Sequence, residues 1–183
     1  MTTTSASVND PARLVALRHL FLLDAPASRS FDRLTQLAAQ LLEAPVSLVT
    51  LVDADRQFFL SSSGLPEPMR SVRQTSIELS ICQHAVAAGR PLIVGDTRAD
   101  PVLTDNPAVR ELGVAAYAGI PLLAEGHAVG TLCVLDFVTR DWTGDQLAIL
   151  AHLADITMDD MRLHVQDRIA QRRRERRGLT RRP

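Results

Sequence analysis

The segment SICQHAVAAGRPLIVGDTRADP, Ser80 to Pro101, collects the side chains best equipped for chemistry: Cys82, His84, Asp96 and Asp100. A metal site, a thiol site and plain structural packing all use these residue types. Metal binding is the easiest to weigh. Cys82 and His84 are two apart, and on a helix such residues point about 200° away from each other, so they cannot share one ion. His19, His127, His152 and His164 are scattered along the chain. Asp160 and His164 have helical i, i+4 spacing, but two ligands on an exposed helix read as a surface pair. No metal site is expected.

The thiols need more thought. If Ser80 caps a short helix, Cys82 lies in its first turn, where the helix dipole favours a thiolate. Cys133 would lie on a strand flanking the same region. Against this, small buried cysteines behave as ordinary core residues, and neither thiol has a partner at catalytic spacing in the sequence. The core reading is preferred. Asp96 and Asp100 follow a strand, where Asp commonly bonds nearby backbone amides in turns. Asp100 reads as a turn residue; Asp96 reads equally as a turn residue or a polar contact to a ligand. No Gly-rich phosphate loop, Ser-His-Asp pattern with a nucleophile elbow, or Schiff-base lysine is present. Hydrolysis and group transfer therefore find no support.

Positioning these residues requires a folded domain, and the chain has the means. Its 183 residues are 46% hydrophobic and 22% charged, a globular composition of one-domain size. No apolar run is long enough for a membrane helix and no signal peptide is seen. Two cysteines are too few for a disulfide framework, so a cytosolic protein with reduced thiols is expected. All 20 basic residues are arginine, and eight of them fall between Arg168 and Pro183 with one Glu. That end carries +7 and the body −8. A basic tail can bind nucleic acid or an acidic partner, but a solvated, frayed end is the preferred reading.

Pattern places the elements. NDPARLVALRHLFLL opens a helix, with Asn9 or Asp10 as cap, Pro11 in the first turn, and Leu14, Leu17 and Phe21 on one face. SFDRLTQLAAQLLEAP is a second helix, ended before Pro45. VSLVTLVD is apolar on both faces and predicts a central strand, with RQFFLSSS as its hairpin partner. GLPEPMRSVRQTS lacks periodicity and reads as a loop. A short helix at about Ser80–Ala88, a strand at PLIVGD and a two-turn helix at NPAVRELG follow. AAYAGIPLL and HAVGTLCVLD are two strands joined by a turn. Thr143 and Gln146 form a capping box, with Trp142 able to staple onto Leu147. The helix they open is expected to continue to about Arg174. Its apolar residues Leu147, Leu150, Ala154, Met158, Met161, Val165 and Ile169 are spaced 3, 4, 4, 3, 4, 4, which holds one stripe nearly straight. A seam with another chain and packing on the first helix of the same chain would both use such a stripe.

This order of elements, with APVSLVTLVDADRQFFLSSSGL, SICQHAV, PLIVGDTRADP, NPAVRELGVAAYAGIPLL, GHAVGTLCVLD and WTGDQLAILAHLA, resembles the GAF domain family over roughly residues 30–155. The versions it is most similar to occur in bacterial sensor proteins. The resemblance implies an α+β fold: an antiparallel sheet of five to six strands flanked by helices, with a pocket over one face and long terminal helices that dimerise. It suggests residues 1–25 as an N-terminal dimer helix, 26–156 as the domain, and 157–183 as a helical extension with the Arg-rich tail. The pocket candidates are Phe59, Cys82, His84, Asp96, Tyr117, Thr131 and Cys133. The dimer candidates are Leu14, Leu17, Phe21, Leu150, Ala154, Met158, Met161 and Val165.

The family does not fix the ligand; its members bind cyclic nucleotides, bilins, haem or iron, so the cofactor stays unknown. Bilin attachment is not carried over, because the order here is Cys-Gln-His on an earlier helix. Nor do the cysteine segments look like the methionine sulfoxide reductase subfamily. The expected function is a non-catalytic, cytosolic signalling module, homodimeric, stand-alone or working with an effector protein in trans. A thiol redox sensor or reductase, and a nucleic-acid partner acting through the Arg tail, are the alternatives.

Overall fold

The computed structural model describes residues 8–179, without the side chains of 172, 173 and 175–179. The first helix, α1 (Pro11–His19), starts as its sequence dictates: the Asp10 carboxylate accepts the Ala12 N–H at 2.9 Å and Pro11 occupies the first turn. It ends earlier than the expected FLL. Phe21 takes a positive φ of 55°, and Leu20 and Leu22 turn into the core. Helix α2 (Arg29–Leu41) buries Phe31, Leu34, Thr35 and Ala38 along one stripe.

Six strands form one antiparallel sheet: β1 (Val46–Val52), β2 (Arg56–Ser63), β3 (Gln74–Ser76), β4 (Leu92–Val94), β5 (Ala116–Ala124) and β6 (His127–Asp136), in the order β3-β2-β1-β6-β5-β4. The central position expected for β1 is found, and every residue along it is buried. Its alternation splits the core in two. Val49 and Leu51 join the cluster under the long helices, whereas Val46, Leu48 and Val52 join the cluster on the other face. Short helices α3 (Met69–Val72), α4 (Cys82–Ala88) and α5 (Pro107–Arg110) connect the strands. The stretch read as an aperiodic loop therefore contains α3 and the edge strand β3. These elements of four and three residues are too short to leave a period.

The last helix, α6 (Gly144–Leu179), is a single run of 36 residues. Its capping box forms reciprocally: Gln146 N–H donates to Thr143 Oγ1 at 3.2 Å and Thr143 N–H to Gln146 Oε1 at 3.0 Å. Trp142 is buried in the helix-side core, where Leu147 also packs. Helix α2 runs antiparallel to α6. At one end the Phe31 and His164 rings lie 5.2 Å apart; at the other, Gln146 donates to the Leu42 carbonyl.

The apolar stripe of α6 faces inward. Leu150, Ala154, Met158 and Met161 are all buried within the same chain, in one cluster with Leu17 of α1, and Leu14 and Val165 pack at its margin. Phe21 is half-buried. The core therefore reaches past the expected domain boundary at 156: the sheet, α1 and α2 cover α6 as far as Met161. The large apolar residues left exposed on these helices are different ones: Val15 on α1, Leu37 and Leu41 on α2, and Ile156, Leu163 and Ile169 on α6. Helix α1, for its part, is a component of the domain core and not an appendage. Residues 180–183, the end of the Arg-rich tail, lie outside the described residues. Among those described, no helix is long and apolar enough to cross a membrane.

Candidate functional site

On the sheet face opposite the long helices lies a cavity of about 150 Å³. Leu48 of β1, Gln57 and Phe59 of β2, Tyr117 of β5 and Leu135 of β6 supply its sheet side. Ile81 and Cys82 at the start of α4 form one wall, and Ala108, Leu112, Val114 and Phe137 another. The remaining wall is Leu65, Pro66, Met69, Thr75 and Leu79, from the segment between β2 and α4. No Asp, Glu, Arg or His is among them. Thr75 Oγ1 is buried and has no hydrogen-bond partner. An unpaired buried hydroxyl is an unfavourable arrangement unless something else meets it.

Local rules explain why Cys82 reaches this wall. Ser80 Oγ accepts the Gln83 N–H at 3.1 Å, and the Gln83 amide folds back onto the Ile77 and Ser80 carbonyls. Ser80 is itself tied to β2, donating to Gln57 Oε1. Cys82 thus becomes the first helical residue with its side chain turned to the sheet. There its Sγ lies 3.7 Å from Cys133 Sγ of β6, and both thiols are free and buried. The Tyr117 hydroxyl donates to Cys82 Sγ at 3.3 Å. Beneath them, the Thr50 and Thr131 hydroxyls pair at 3.0 Å across β1 and β6.

The electrostatics of this cluster are asymmetric. Burial pushes the Cys82 thiol up, but hydrogen bonding to its sulfur, from Cys133 and Tyr117 among others, outweighs it and sets its pKa below the ordinary thiol value. Donation to Cys82, together with burial, holds Cys133 well above it. Burial and the two neighbouring sulfurs raise Tyr117, which keeps its proton as a donor. Of the pair, Cys82 is the more acidic sulfur.

Of the seven pocket candidates, Phe59, Cys82 and Tyr117 line the cavity, and four do not. Cys133 sits behind Cys82, and the Thr131 hydroxyl is taken by Thr50, so it is no free handle. Asp96 accepts the Arg98 N–H at 3.1 Å in a turn; Asp100 likewise accepts from Val102 and Leu103. His84 is half-buried on α4; burial lowers its pKa against the opposing pull of Asp100. The spacing argument against a thiol pair does not survive, because strand β6 brings Cys133 to Cys82 from far along the chain. Leu65, Met69 and Thr75 were missed with the segment that carries them. Two apolar residues four apart, Leu65 and Met69, were its only signal. Among the described residues no three His, Cys, Asp or Glu side chains gather where an ion could be held.

Comparison with known proteins agrees with the architecture. The GAF domain family model matches residues 26–158. A cyclic di-GMP phosphodiesterase of Pseudomonas aeruginosa is 32% identical over an alignment of 161 residues that covers 86% of this chain. The match spans only 27% of that protein's length. Among solved structures, the GAF domain of a phosphoenolpyruvate-protein phosphotransferase from Coxiella burnetii superposes with a TM-score of 0.63 at 16% identity, covering 86% of this chain and 96% of that one. The free methionine-R-sulfoxide reductase of Neisseria meningitidis, in complex with its substrate, does so with a TM-score of 0.62 at 16% identity, covering 84% and 89%. At such identities the structures speak for the fold alone. Together with the six-stranded sheet, the family match over most of the chain leads to one conclusion: this chain belongs to the GAF domain family.

Proposed function

We propose that the chain is a non-catalytic sensory module that holds a small, neutral, largely apolar molecule in the cavity between the sheet, α4 and the segment 65–79. The observation that carries this reading is the cavity wall itself: it is largely apolar, holds no Asp, Glu, Arg or His, and has one unpartnered hydroxyl at Thr75. A cavity of about 150 Å³ matches the size that takes a benzene-scale guest. A cyclic nucleotide is larger, and its phosphate would meet no cation there. The likeness to part of a cyclic di-GMP phosphodiesterase supports a place in signalling; we carry over that context and not the activity. Output through a second copy of the chain, or through an effector protein in trans, completes the proposal. The dimer seam moves to the exposed residues Leu37, Leu41, Ile156 and Leu163 on the outer side of α2 and α6.

The test is a thermal-shift series on the intact chain with phenol, indole, cyclic mononucleotides and cyclic di-GMP. The neutral aromatics should raise the melting temperature and compete with one another, while the nucleotides leave it unchanged. A shift with a nucleotide and none with the aromatics overturns the reading.

A further inference from the structure

Cys82 borders the cavity, and the sulfur behind it is placed with specific geometry. Cys82 and Cys133 are the chain's two cysteines, far apart in sequence, and their sulfurs lie 3.7 Å apart. We propose that they form a peroxide-reactive site, in which Cys82 is the sulfur oxidised first and Cys133 the sulfur that closes an intramolecular disulfide.

Three observations assign the two roles. Access differs: Cys82 borders the cavity, whereas Cys133 does not. Hydrogen peroxide is close to water in size, and a cavity of about 150 Å³ admits it readily, since a water needs only about 10–15 Å³ on the same measure. Hydrogen bonding differs too: the Tyr117 hydroxyl donates to Cys82 Sγ, and donation to a sulfur stabilises the thiolate, the reactive form. The backbone setting also differs. Cys133 lies mid-strand, paired to Leu48 on β1 and Gly119 on β5. Cys82 is the first residue of a seven-residue helix outside the sheet.

The chemistry balances. Cys82 sulfur attacks one peroxide oxygen; an S–O bond forms, the O–O bond breaks, and the second oxygen leaves as water with the thiol proton. Cys133 sulfur then attacks Cys82 sulfur; the S–S bond forms, the S–O bond breaks, and hydroxide leaves as water with the Cys133 proton. Two thiols and one hydrogen peroxide thus become one disulfide and two waters. The sulfurs must close from 3.7 Å to about 2.05 Å, which rotation of the Cys82 side chain with a small shift of α4 can supply. A dithiol reductant reverses the product by exchange.

The test uses the native chain and hydrogen peroxide. After exposure to a small molar excess, the protein is quenched, denatured, alkylated and peptide-mapped. Both thiols should be lost, a peptide joining Cys82 to Cys133 within one chain should appear, and dithiothreitol should restore both thiols. In the same reaction dimedone should trap a sulfenic acid on Cys82, and more of it in Cys133→Ala. If that variant does not fold, the wild-type trapping experiment still decides. The proposal is overturned if both thiols survive, if they are lost only at urea concentrations that unfold the chain, if the disulfide joins two chains, or if dimedone marks Cys133 instead. None of these outcomes depends on whether an aromatic guest binds, so this inference and the proposed function fail separately.

Discussion

The Tyr117 ring occupies the space that a side chain at Gly119 would fill: a Cβ built on Gly119 would lie 2.3 Å from the Tyr117 hydroxyl and 2.6 Å from its ring. The two residues are on the same face of β5, two apart. Because position 119 is bare, the ring can lie back along the strand and deliver its hydroxyl to Cys82. Gly119→Ala should therefore displace Tyr117. We expect a loss of about 1–3 kcal/mol, the range for overpacking a filled core, and slower peroxide oxidation of Cys82. An unchanged urea midpoint would show that the ring has room to give.

Thr75→Val is expected to behave oppositely. Its hydroxyl is buried without a partner, so an isosteric methyl removes a desolvation cost. Stability should hold or rise by up to about 1 kcal/mol. Phenol should then lose affinity relative to toluene, because only phenol can use the hydroxyl. Equal losses for both, read from thermal-shift titrations, contradict the assignment of Thr75 as the polar contact.

Two neighbouring positions on α6 separate the core from the proposed seam. Met161 is fully buried and Leu163 is 58% exposed. Met161→Glu buries an unpaired carboxylate and should unfold the domain, at a cost of several kcal/mol. Ile156→Glu combined with Leu163→Glu should leave the urea midpoint within about 0.5 kcal/mol but shift the protein from dimer to monomer by light scattering. A wild-type chain that scatters as a monomer at about 50 µM, well above the micromolar range where a weak dimer of roughly 8 kcal/mol forms, ends the dimer proposal.

Arg13 supplies a fourth test. It is buried on α1, where its Nε donates to the Val8 carbonyl at 2.7 Å and its Nη1 to the Val52 carbonyl at 2.8 Å. Desolvation lowers its pKa against the pull of Asp53 and Asp10. Arg13→Met keeps the length and removes both bonds, leaving carbonyls unpaired. A loss of about 2–3 kcal/mol is expected in urea melts. A neutral substitution would mean that water replaces the guanidinium.

The elements most legible in the sequence were those that signal locally. Thr143 and Gln146 announce a helix start within four residues, and the two-faced apolarity of Val46–Val52 announces a central strand. Asp100 behaves as its turn chemistry predicts. What stayed hidden depends on partners far along the chain. The period of Leu150, Ala154, Met158 and Met161 shows that a helix has an apolar stripe, but not whether α1 and the sheet or a second chain covers it. The approach of Cys82 to Cys133 requires the β1–β6 pairing, which no spacing within SICQHAV encodes. Leu65, Met69 and Thr75 sit on elements too short for any period to register.

Helix α6 has a mechanical consequence. It is clamped to the sheet as far as Met161, while every residue from Gln166 to Gln171 is exposed. At about 1.5 Å per residue, the helical stretch from Val165 to Leu179 is a stiff arm of roughly 20 Å with its fulcrum on the domain. A tilt too small to disturb the packing around Leu150 is multiplied along that arm into a displacement of several ångströms at its far end.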